Sequence, residues 1–278
     1  MRRAAPLMIL AAGQLFVVLA GEFDLSVGAL ITLVVIVAAR LTDGEPSRTW
    51  PVILLLIAVG ILVGLANGLI TTRLGVPSFI TTLGMMLILD GWTSWWTGGS
   101  PRGDLPDNFR QWGRLGIEDV PLIGQLPHSV VILTVVGAFA AWLLHGTSFG
   151  KQIYAAGGNP RAAFLSGVDV SKVRTLAFVI SALSAVITGI LLGGFSGVSP
   201  DAGQGYEFQA ISAVVLGGAA LGGGRGAMLP AIAGAMTLEA LFTLLNLLGL
   251  PKPLRDAIQG AIIIFAIAFA AFRQRKQR

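Results

Sequence analysis

Two carboxylate side chains, those of Glu22 and Asp24, interrupt apolar sequence near the start of the chain. The runs on either side, 4–20 and 25–41, are both apolar enough to be embedded in a membrane. A charged side chain in lipid costs several kcal/mol unless it lies at an interface, lines a protein cavity or has a partner. This interruption is therefore the first candidate for a functional site.

Ser26 and Gly28 complete the polar stretch. A first helix over 4–20 would rise about 25 Å, which predicts that Glu22 and Asp24 lie near the cytoplasmic edge of the membrane and not at its middle. Asp24 would there cap the next helix, with Ser26 beside the open backbone amides. We expect the stretch to act as an inner gate or helix break.

Enzymatic chemistry is not indicated elsewhere in the chain. The sequence has no cysteine, which excludes disulfides, thiolate metal sites and cysteine nucleophiles. Neither a Ser-His-Asp set nor a cluster of metal-ligating residues has plausible spacing. The segment 146–152 differs from a phosphate loop, because it has three residues instead of four between its glycines and Gln152 at the magnesium-ligand position. We therefore expect no catalytic residue, metal or cofactor in this chain.

The composition indicates a polytopic membrane protein. Of the 278 residues, 54% are hydrophobic and 12% charged, whereas about a quarter of the residues in soluble domains are charged. The net charge of +5 would suit nucleic-acid binding, but the basic residues are scattered through short loops and cluster only at 273–278. This is the positive-inside pattern, so we expect the lipid bilayer and no nucleic acid as a partner.

Nine apolar runs are long enough, or nearly so, to cross a bilayer, which requires about 17 to 25 residues in a helix. The run 207–221 is short, which predicts an interrupted helix. The predicted spans are 4–20, 25–41, 51–74, 77–97, 128–146, 173–196, 207–221, 227–248 and 254–272.

Charge in the loops predicts the orientation of these spans. The loop 147–174 carries four basic residues against one acid, Asp169, and the tail 273–278 is purely basic. Both are predicted to be cytoplasmic, and the four spans between them agree with that assignment. The acidic loop 98–127 and the turn from Asp201 to Glu207 then lie outside.

Two halves of the chain resemble each other in order. Leu-Gly-Val-Pro at 74–77 and Leu-Gly-Leu-Pro at 248–251 each join two apolar runs, and Glu22 has a counterpart in Glu207, since each precedes phenylalanine. A single span between the halves forces opposite orientations, which is the inverted-repeat plan of many transporters. The predicted division is a first half 1–97, an outer loop 98–127, a linking span 128–146, a cytoplasmic loop 147–172 and a second half 173–273.

The cytoplasmic loop contains a second informative stretch. Residues 157–160 (Gly-Gly-Asn-Pro) predict a turn, and Asn159 or Pro160 can begin a short helix with apolar residues at 162–165. The residues alone leave two interpretations open: the helix docks into a groove of another protein, or it lies half-buried in the lipid interface.

Polar residues within or beside the apolar runs are candidates for a translocation pathway, where a polar solute would need hydrogen-bond partners. Hydrogen bonding between helices, worth about 0.6 kcal/mol on average, is the simpler interpretation of each. Glu239 lies in the middle of a predicted span, where it would either pair or line a pore. The candidate pathway residues are Asn67, Ser78, Thr82 and Gln209.

Four ordered motifs resemble the integral permease subunit of ribose/xylose-type ABC sugar importers, a group of branched-chain monosaccharide permeases. The resemblance extends over essentially the whole chain, and the combination of motifs is specific although each one alone is weak. The motifs lie at 22–28, 76–86, 153–168 and 210–226.

This resemblance implies an all-α, type II-importer-like permease in the bacterial cytoplasmic (inner) membrane, with a cytoplasmic C-terminus and two four-helix halves in inverted repeat. The implied partners are a second permease copy, a periplasmic or lipid-anchored sugar-binding protein and a cytoplasmic ABC ATPase that holds ATP and magnesium. The loop 147–172 would be the segment that couples to the ATPase. The residues implied for this coupling are Gly150, Tyr154, Gly157, Gly158, Asn159, Ala162, Ala163, Leu165, Ser166 and Gly167.

Members of this group usually carry an additional N-terminal helix. The span count places Arg2 and Arg3 outside, against the positive-inside tendency, so we expect that a preceding helix is missing. The alternative function is an ion-coupled secondary transporter of a small polar solute, in which Asp90 and Glu239 would carry ions or protons.

Overall fold

The structure, a computed structural model, describes residues 2–100, 102–120 and 124–251 and scattered positions between 254 and 268. In this part the chain forms helices and one small antiparallel hairpin. The helices are α1 (Ala5–Leu19), α2 (Val27–Thr42), α3 (Thr49–Arg73), α4 (Ser78–Thr97), α5 (Asp107–Arg114), α6 (His128–Gly146), α7 (Ser148–Gly158), α8 (Pro160–Leu165), α9 (Val170–Ser196), α10 (Tyr206–Leu216) and α11 (Met228–Leu247); the strands are β1 (Gly116–Val120) and β2 (Gly124–Pro127).

The predicted all-α polytopic fold is confirmed. Among the described residues, four helices are long and apolar enough to cross a membrane: α6, α9, α11 and a helical stretch over Pro46–Arg73 that contains α3. Three shorter apolar helices, α1, α2 and α10, accompany them, and α10 has the 11 residues of an interrupted span. The predicted ninth span, 254–272, and the basic tail lie largely or wholly outside the described residues.

The long helix α9 lies at the centre of the bundle. Gly60, Gly64 and Gly68 of α3 pack along it, and a Cβ atom at Gly64 would lie 2.6 Å from Cα of Val179. Small residues at every fourth position let two backbones approach closely. The glycine spacing therefore serves helix packing.

Helix α1 is enclosed by the other helices. All of its side chains are buried, as expected of a helix that is apolar on every face. It runs antiparallel to α9, because Thr188 Oγ1 donates to the backbone oxygen of Pro6 at 3.1 Å while Gln14 meets Ser181.

The bundle has two ends, which we name the coupling face, after the predicted role of α7 and α8, and the hairpin face, after the β1–β2 hairpin. The coupling face carries α7 and α8, and α9 begins there. The hairpin face carries α5 and the strands, and Arg2 Nε donates there to the backbone oxygen of Gly113 at 3.1 Å. Residues 98–127, predicted as a loop, thus contain a helix and a hairpin.

Helices α2 and α10 both begin inside the bundle, after irregular segments at 20–26 and 197–205. The two beginnings touch: a Cβ atom at Gly203 would overlap the backbone oxygen of Gly28, and a Cβ atom at Gly28 would overlap the carboxylate of Glu207. Glu207 is therefore buried beside α2, and the expectation that it lies at the outer edge is wrong. The segment that precedes it turns back into the bundle.

The coupling segment differs from its prediction in one respect. Residues 157 and 158 do not form a turn but close α7. Helix α8 begins as predicted, since Asn159 Oδ1 accepts a hydrogen bond from the Ala162 amide at 3.0 Å.

Candidate functional site

The irregular segment at 22–26 is held by the start of α4. The Phe23 amide donates to Ser78 Oγ at 3.1 Å, and Thr82 Oγ1 lies 3.4 Å from the Phe23 backbone oxygen. Both side chains are buried. Two of the predicted pathway residues, Ser78 and Thr82, thus hold the backbone of the helix break.

Asp24 lies inside the bundle with no exposed surface. Its carboxylate accepts hydrogen bonds from the Ser26 amide (3.0 Å), Ser26 Oγ (2.7 Å) and Ser181 Oγ (2.8 Å). Because Ser181 is near the middle of α9, Asp24 is not at the membrane edge, and that expectation is wrong. The chain turns inward after α1, so Asp24 lies deeper than Glu22.

Asp24 also does not cap α2. The N-cap residue of α2 is Ser26, and no side-chain cap hydrogen bond is formed there. Asp24 bonds the amide of Ser26 itself, outside the helix. The role of Asp24 is therefore to close the break by linking it to α9.

Ser181 connects Asp24 to α1. Its hydroxyl carries one hydrogen but lies within hydrogen-bonding distance of two acceptors, Asp24 Oδ2 at 2.8 Å and Gln14 Oε1 at 3.2 Å. The Ser181 hydroxyl therefore joins the helix break to both α9 and α1.

Asn67 joins the same cluster from α3. Its Nδ2 donates to Ser26 Oγ at 2.9 Å, whereas its Oδ1 has no hydrogen-bond partner within the described part of the chain. The predicted pathway residue Asn67 is thus completely buried beside the break. We call the five residues Gln14, Asp24, Ser26, Asn67 and Ser181 the central network.

Glu22 pairs with Arg174 near the start of α9, with Oε1 2.7 Å from Nη1. The pair lines a cavity of about 430 Å³ at the coupling face. The lining residues are Glu22, Thr71, Thr72, Gly75, Val76, Pro77, Val170, Ser171 and Arg174. Its two described charges therefore balance within the protein.

A second cavity, of about 350 Å³, lies toward the hairpin face, where α4 ends. Gly28 and Glu207, which were predicted as gate residues, line it together with Asp90. The remaining lining residues are Ala29, Thr32, Ile36, Met86, Thr93, Ser94, Thr97, Gly99, Pro200, Asp201 and Gln204. Gln209 is half-buried on α10 and is not among them.

The predicted coupling residues fall into two groups. Gly150, Tyr154 and Gly157 face the bundle: Tyr154 Oη donates to the Gly226 backbone oxygen at 2.8 Å, and a Cβ atom at Gly157 would overlap the Leu19 backbone oxygen. Burial raises the pKa of the Tyr154 phenol above its ordinary value. Helix α7 is thus packed directly on the end of α1.

The second group forms a surface on and around α8. Phe164 and Leu165 are 70% and 78% exposed, whereas Ala163 is 5% exposed and packs inward. We call this surface, with its two large apolar side chains, the α8 surface. Its other exposed members are Gly158, Asn159, Ala162, Ser166 and Gly167.

Sequence reasoning did not assign Gln14 or Ser181 to the site, and it treated Arg174 as a loop charge. Gln14 could have been found, because it is the one polar side chain in the apolar run of α1. Ser181 and Arg174 could not, since their roles depend on partners 157 and 152 positions away.

An all-α membrane bundle with broken helices and polar cavities at both ends is the architecture of a transport protein. The chain matches the family model "Branched-chain amino acid transport system / permease component" over residues 1–267, and it belongs to this family. The predicted class, a transporter permease subunit, is thereby confirmed.

Curated relatives agree with this assignment. The chain is 38% identical over 261 residues to the ribose import permease protein of Escherichia coli, covering 93% of this chain and 80% of the relative. It is 35% identical over 275 residues to the ribose import permease protein of Bacillus subtilis (96% and 82% covered). It is 33% identical over 264 residues to the autoinducer 2 import system permease protein of Escherichia coli (95% and 75% covered). No solved structure matches the chain.

Proposed function

We propose that this chain is the membrane-spanning permease subunit of an ATP-driven importer that moves a monosaccharide delivered by a substrate-binding protein. The relatives named for ribose import support the substrate class. The structural observation that carries the proposal is the pair of polar cavities, one toward each face, on either side of the central network.

The transport mechanism that fits this arrangement is alternating access. Opening the hairpin-face cavity admits the sugar, and a rearrangement around the breaks before α2 and α10 passes it to the coupling-face cavity. The two inverted halves, 1–97 and 173–273, would rock against each other in this step. The start of α9 joins the coupling segment to the break directly, since Arg174 holds Glu22.

The α8 surface is the docking site for a cytoplasmic ABC ATPase, which holds ATP and magnesium. Two large apolar side chains, Phe164 and Leu165, project from a short capped helix, as suits insertion into a groove of a partner. Because α7 packs closely against the end of α1, movement of such a partner would be transmitted to the bundle.

At the opposite face, the binding protein docks on the regions around 98–127 and 197–206. Helix α5 and the β1–β2 hairpin offer a folded platform there. A second copy of the chain completes the transporter, as the family resemblance implies. In this arrangement the coupling face is cytoplasmic, which agrees with its basic loop.

The decisive experiment is sugar uptake by vesicles that contain the permease, its ATPase and its binding protein. We expect uptake to require ATP and to survive an uncoupler. Loss of uptake with the uncoupler, while ATP is maintained, would instead support the ion-coupled alternative, for which Asp90, in the hairpin-face cavity, and Glu239, on α11, are the candidate carriers. Thermal stabilisation of the binding protein across a sugar panel identifies the sugar.

The docking site is tested by Phe164→Ser with Leu165→Ser. Both side chains are exposed, so stability should change by less than about 0.5 kcal/mol, while sugar-stimulated ATPase activity and uptake should fall at least tenfold. Leu69→Ser, at an exposed apolar position on α3, is the matched control. Unchanged ATPase stimulation in the double variant would refute docking at α8.

A further inference from the structure

The hairpin-face cavity is lined by carboxylates from three separate elements. Asp90 comes from α4, Asp201 from the segment before α10, and Glu207 from the first turn of α10. Among the described residues, no lysine, arginine or histidine lines the cavity. The coupling-face cavity differs, because Arg174 balances Glu22 there.

The threonines of the same cavity add acceptors and not donors. Thr93 Oγ1 gives its hydrogen to the Leu89 backbone oxygen at 2.7 Å, and Thr97 Oγ1 gives its hydrogen to the Thr93 backbone oxygen at 2.9 Å. Each hydroxyl can therefore only accept a hydrogen bond from a ligand, through its lone pairs. Ser94 and Gln204 are the lining side chains with hydrogens still to donate.

We propose that Asp90, Asp201 and Glu207 make this cavity a selectivity site that accepts neutral, hydroxyl-rich solutes and rejects anionic ones such as sugar acids and sugar phosphates. This inference rests on the proposed function, since it names the substrate class of the same pathway. The volume, about 350 Å³, is at the lower end of the range for small-molecule sites.

The chemistry follows from the lining. A sugar hydroxyl supplies hydrogens to a lining in which acceptors outnumber donors, and a hydroxyl bonded to a carboxylate forms a charge-assisted hydrogen bond. A carboxylate or phosphate on the solute would instead meet like charges from three sides with no lining cation. An anionic solute is therefore rejected because the lining carboxylates repel it and because its own charge finds no cation to pair with. Repulsive and unpaired groups of this kind are how binding sites exclude close analogues.

The natural absence of cysteine allows a direct test in which the chain carries a single thiol at Ser94→Cys, reconstituted in nanodiscs. We would measure its reaction rates with a cationic and an anionic methanethiosulfonate reagent, each divided by that reagent's rate with mercaptoethanol. The cationic reagent should react at least about tenfold faster, since a cleft of one charge sign concentrates counter-ions. Equal normalised rates would overturn the proposal.

The carboxylates are then removed in the same background. Asp90→Asn with Asp201→Asn should lower the ratio to less than about half of its starting value, with Glu207 keeping it above unity, and each single substitution should lower it partway. Both residues are exposed, so the single variants keep the test available if the double variant does not fold. A ratio that none of the variants changes would show that these acids do not set the selectivity.

Solute protection gives the second readout. D-Ribose should slow the labelling of Ser94→Cys by a neutral reagent, whereas D-ribonate at equal ionic strength should not. Equal protection by ribonate contradicts the proposal. Failure of the proposed function is recognised separately, because it would abolish ATP-dependent uptake and leave the charge ratio of labelling unchanged.

Discussion

The break before α2 and the break before α10 meet inside the bundle, but their polar groups have different partners. At the first break, Asp24 is bonded by Ser26 and Ser181, and Glu22 is paired with Arg174. At the second, Gly203 donates to Thr32 Oγ1 at 3.0 Å, while Asp201 and Glu207 line a cavity.

This difference separates two roles. The first break is closed by side chains of the protein, so it is suited to hold α1, α3 and α9 in register. At the second break, Asp201 and Glu207 line a cavity instead of pairing with another side chain of the described helices around it. The two helix breaks therefore differ in what holds their polar groups, and the contrast can be tested by substitutions at each break.

The largest effect is expected at Asp24. Replacement by alanine leaves buried partners such as Ser181 unsatisfied and should destabilise the protein by about 2–4 kcal/mol. Asp24→Asn should cost less than about 1 kcal/mol, because the amide oxygen can still accept from Ser26 and the amide nitrogen can donate to Ser181. Thermal unfolding in detergent measures both, and an asparagine variant as unstable as the alanine variant would show that these hydrogen bonds do not set the contribution of Asp24 to stability.

A smaller effect is expected where the two breaks touch. Gly28→Ala should cost about 1–3 kcal/mol, because its Cβ atom would overlap Glu207 and lie 2.8 Å from the Gly203 backbone oxygen. The control is Gly91→Ala on α4, where a Cβ atom would have no neighbour within 4 Å among the described residues. Equal stability of the two variants would show that the breaks are not packed together.

Thr32→Val tests the hydrogen bond that holds the second break. The substitution keeps the shape but removes the acceptor for the Gly203 amide, so we expect a loss of about 1 kcal/mol. Hydrogen exchange of the Gly203 amide should accelerate at the same time. Unchanged exchange would mean that another acceptor takes its place.

The smallest change in stability is expected at the ion pair. Glu22 is buried and Arg174 is partly exposed, but both line the coupling-face cavity and a glutamine keeps an oxygen that accepts from Arg174, so Glu22→Gln should cost less than about 1 kcal/mol. Transport should respond more strongly than stability, since the pair joins the start of α9 to the break. Uptake by Glu22→Gln, Arg174→Gln and the double variant forms a cycle, and additive losses of activity would show that the pair does not act as a unit.

Hydropathy and charge along the chain predicted most of the spanning helices. The apolar run 128–146 coincides with α6, and the short run at 207–221 corresponds to the short helix α10. These predictions succeed because lipid-facing or buried segments need continuous apolar sequence, which is a local property. The inverted relation between the halves stays a prediction.

The site was less predictable, because its geometry depends on distant partners. The polar character of 22–28 was evident, but the depth of Asp24 depends on Ser181, 157 positions away. Helix α7 was predicted partly as a turn from its two glycines; Gly157 instead provides space for the Leu19 backbone oxygen. A glycine can permit a turn in its own segment or leave space for the backbone of another segment, and the sequence does not distinguish the two.

The enclosed position of α1 has a consequence for how the protein is made. Gln14 enters the membrane 167 residues before Ser181, with which it bonds. At about 5–20 residues per second, synthesis takes roughly ten to thirty seconds to produce this partner. During this interval α1 faces lipid on the sides that the finished bundle covers. Assembly therefore requires α1 to exchange lipid for protein late in synthesis, and Gln14 gains its bond with Ser181 only at that step.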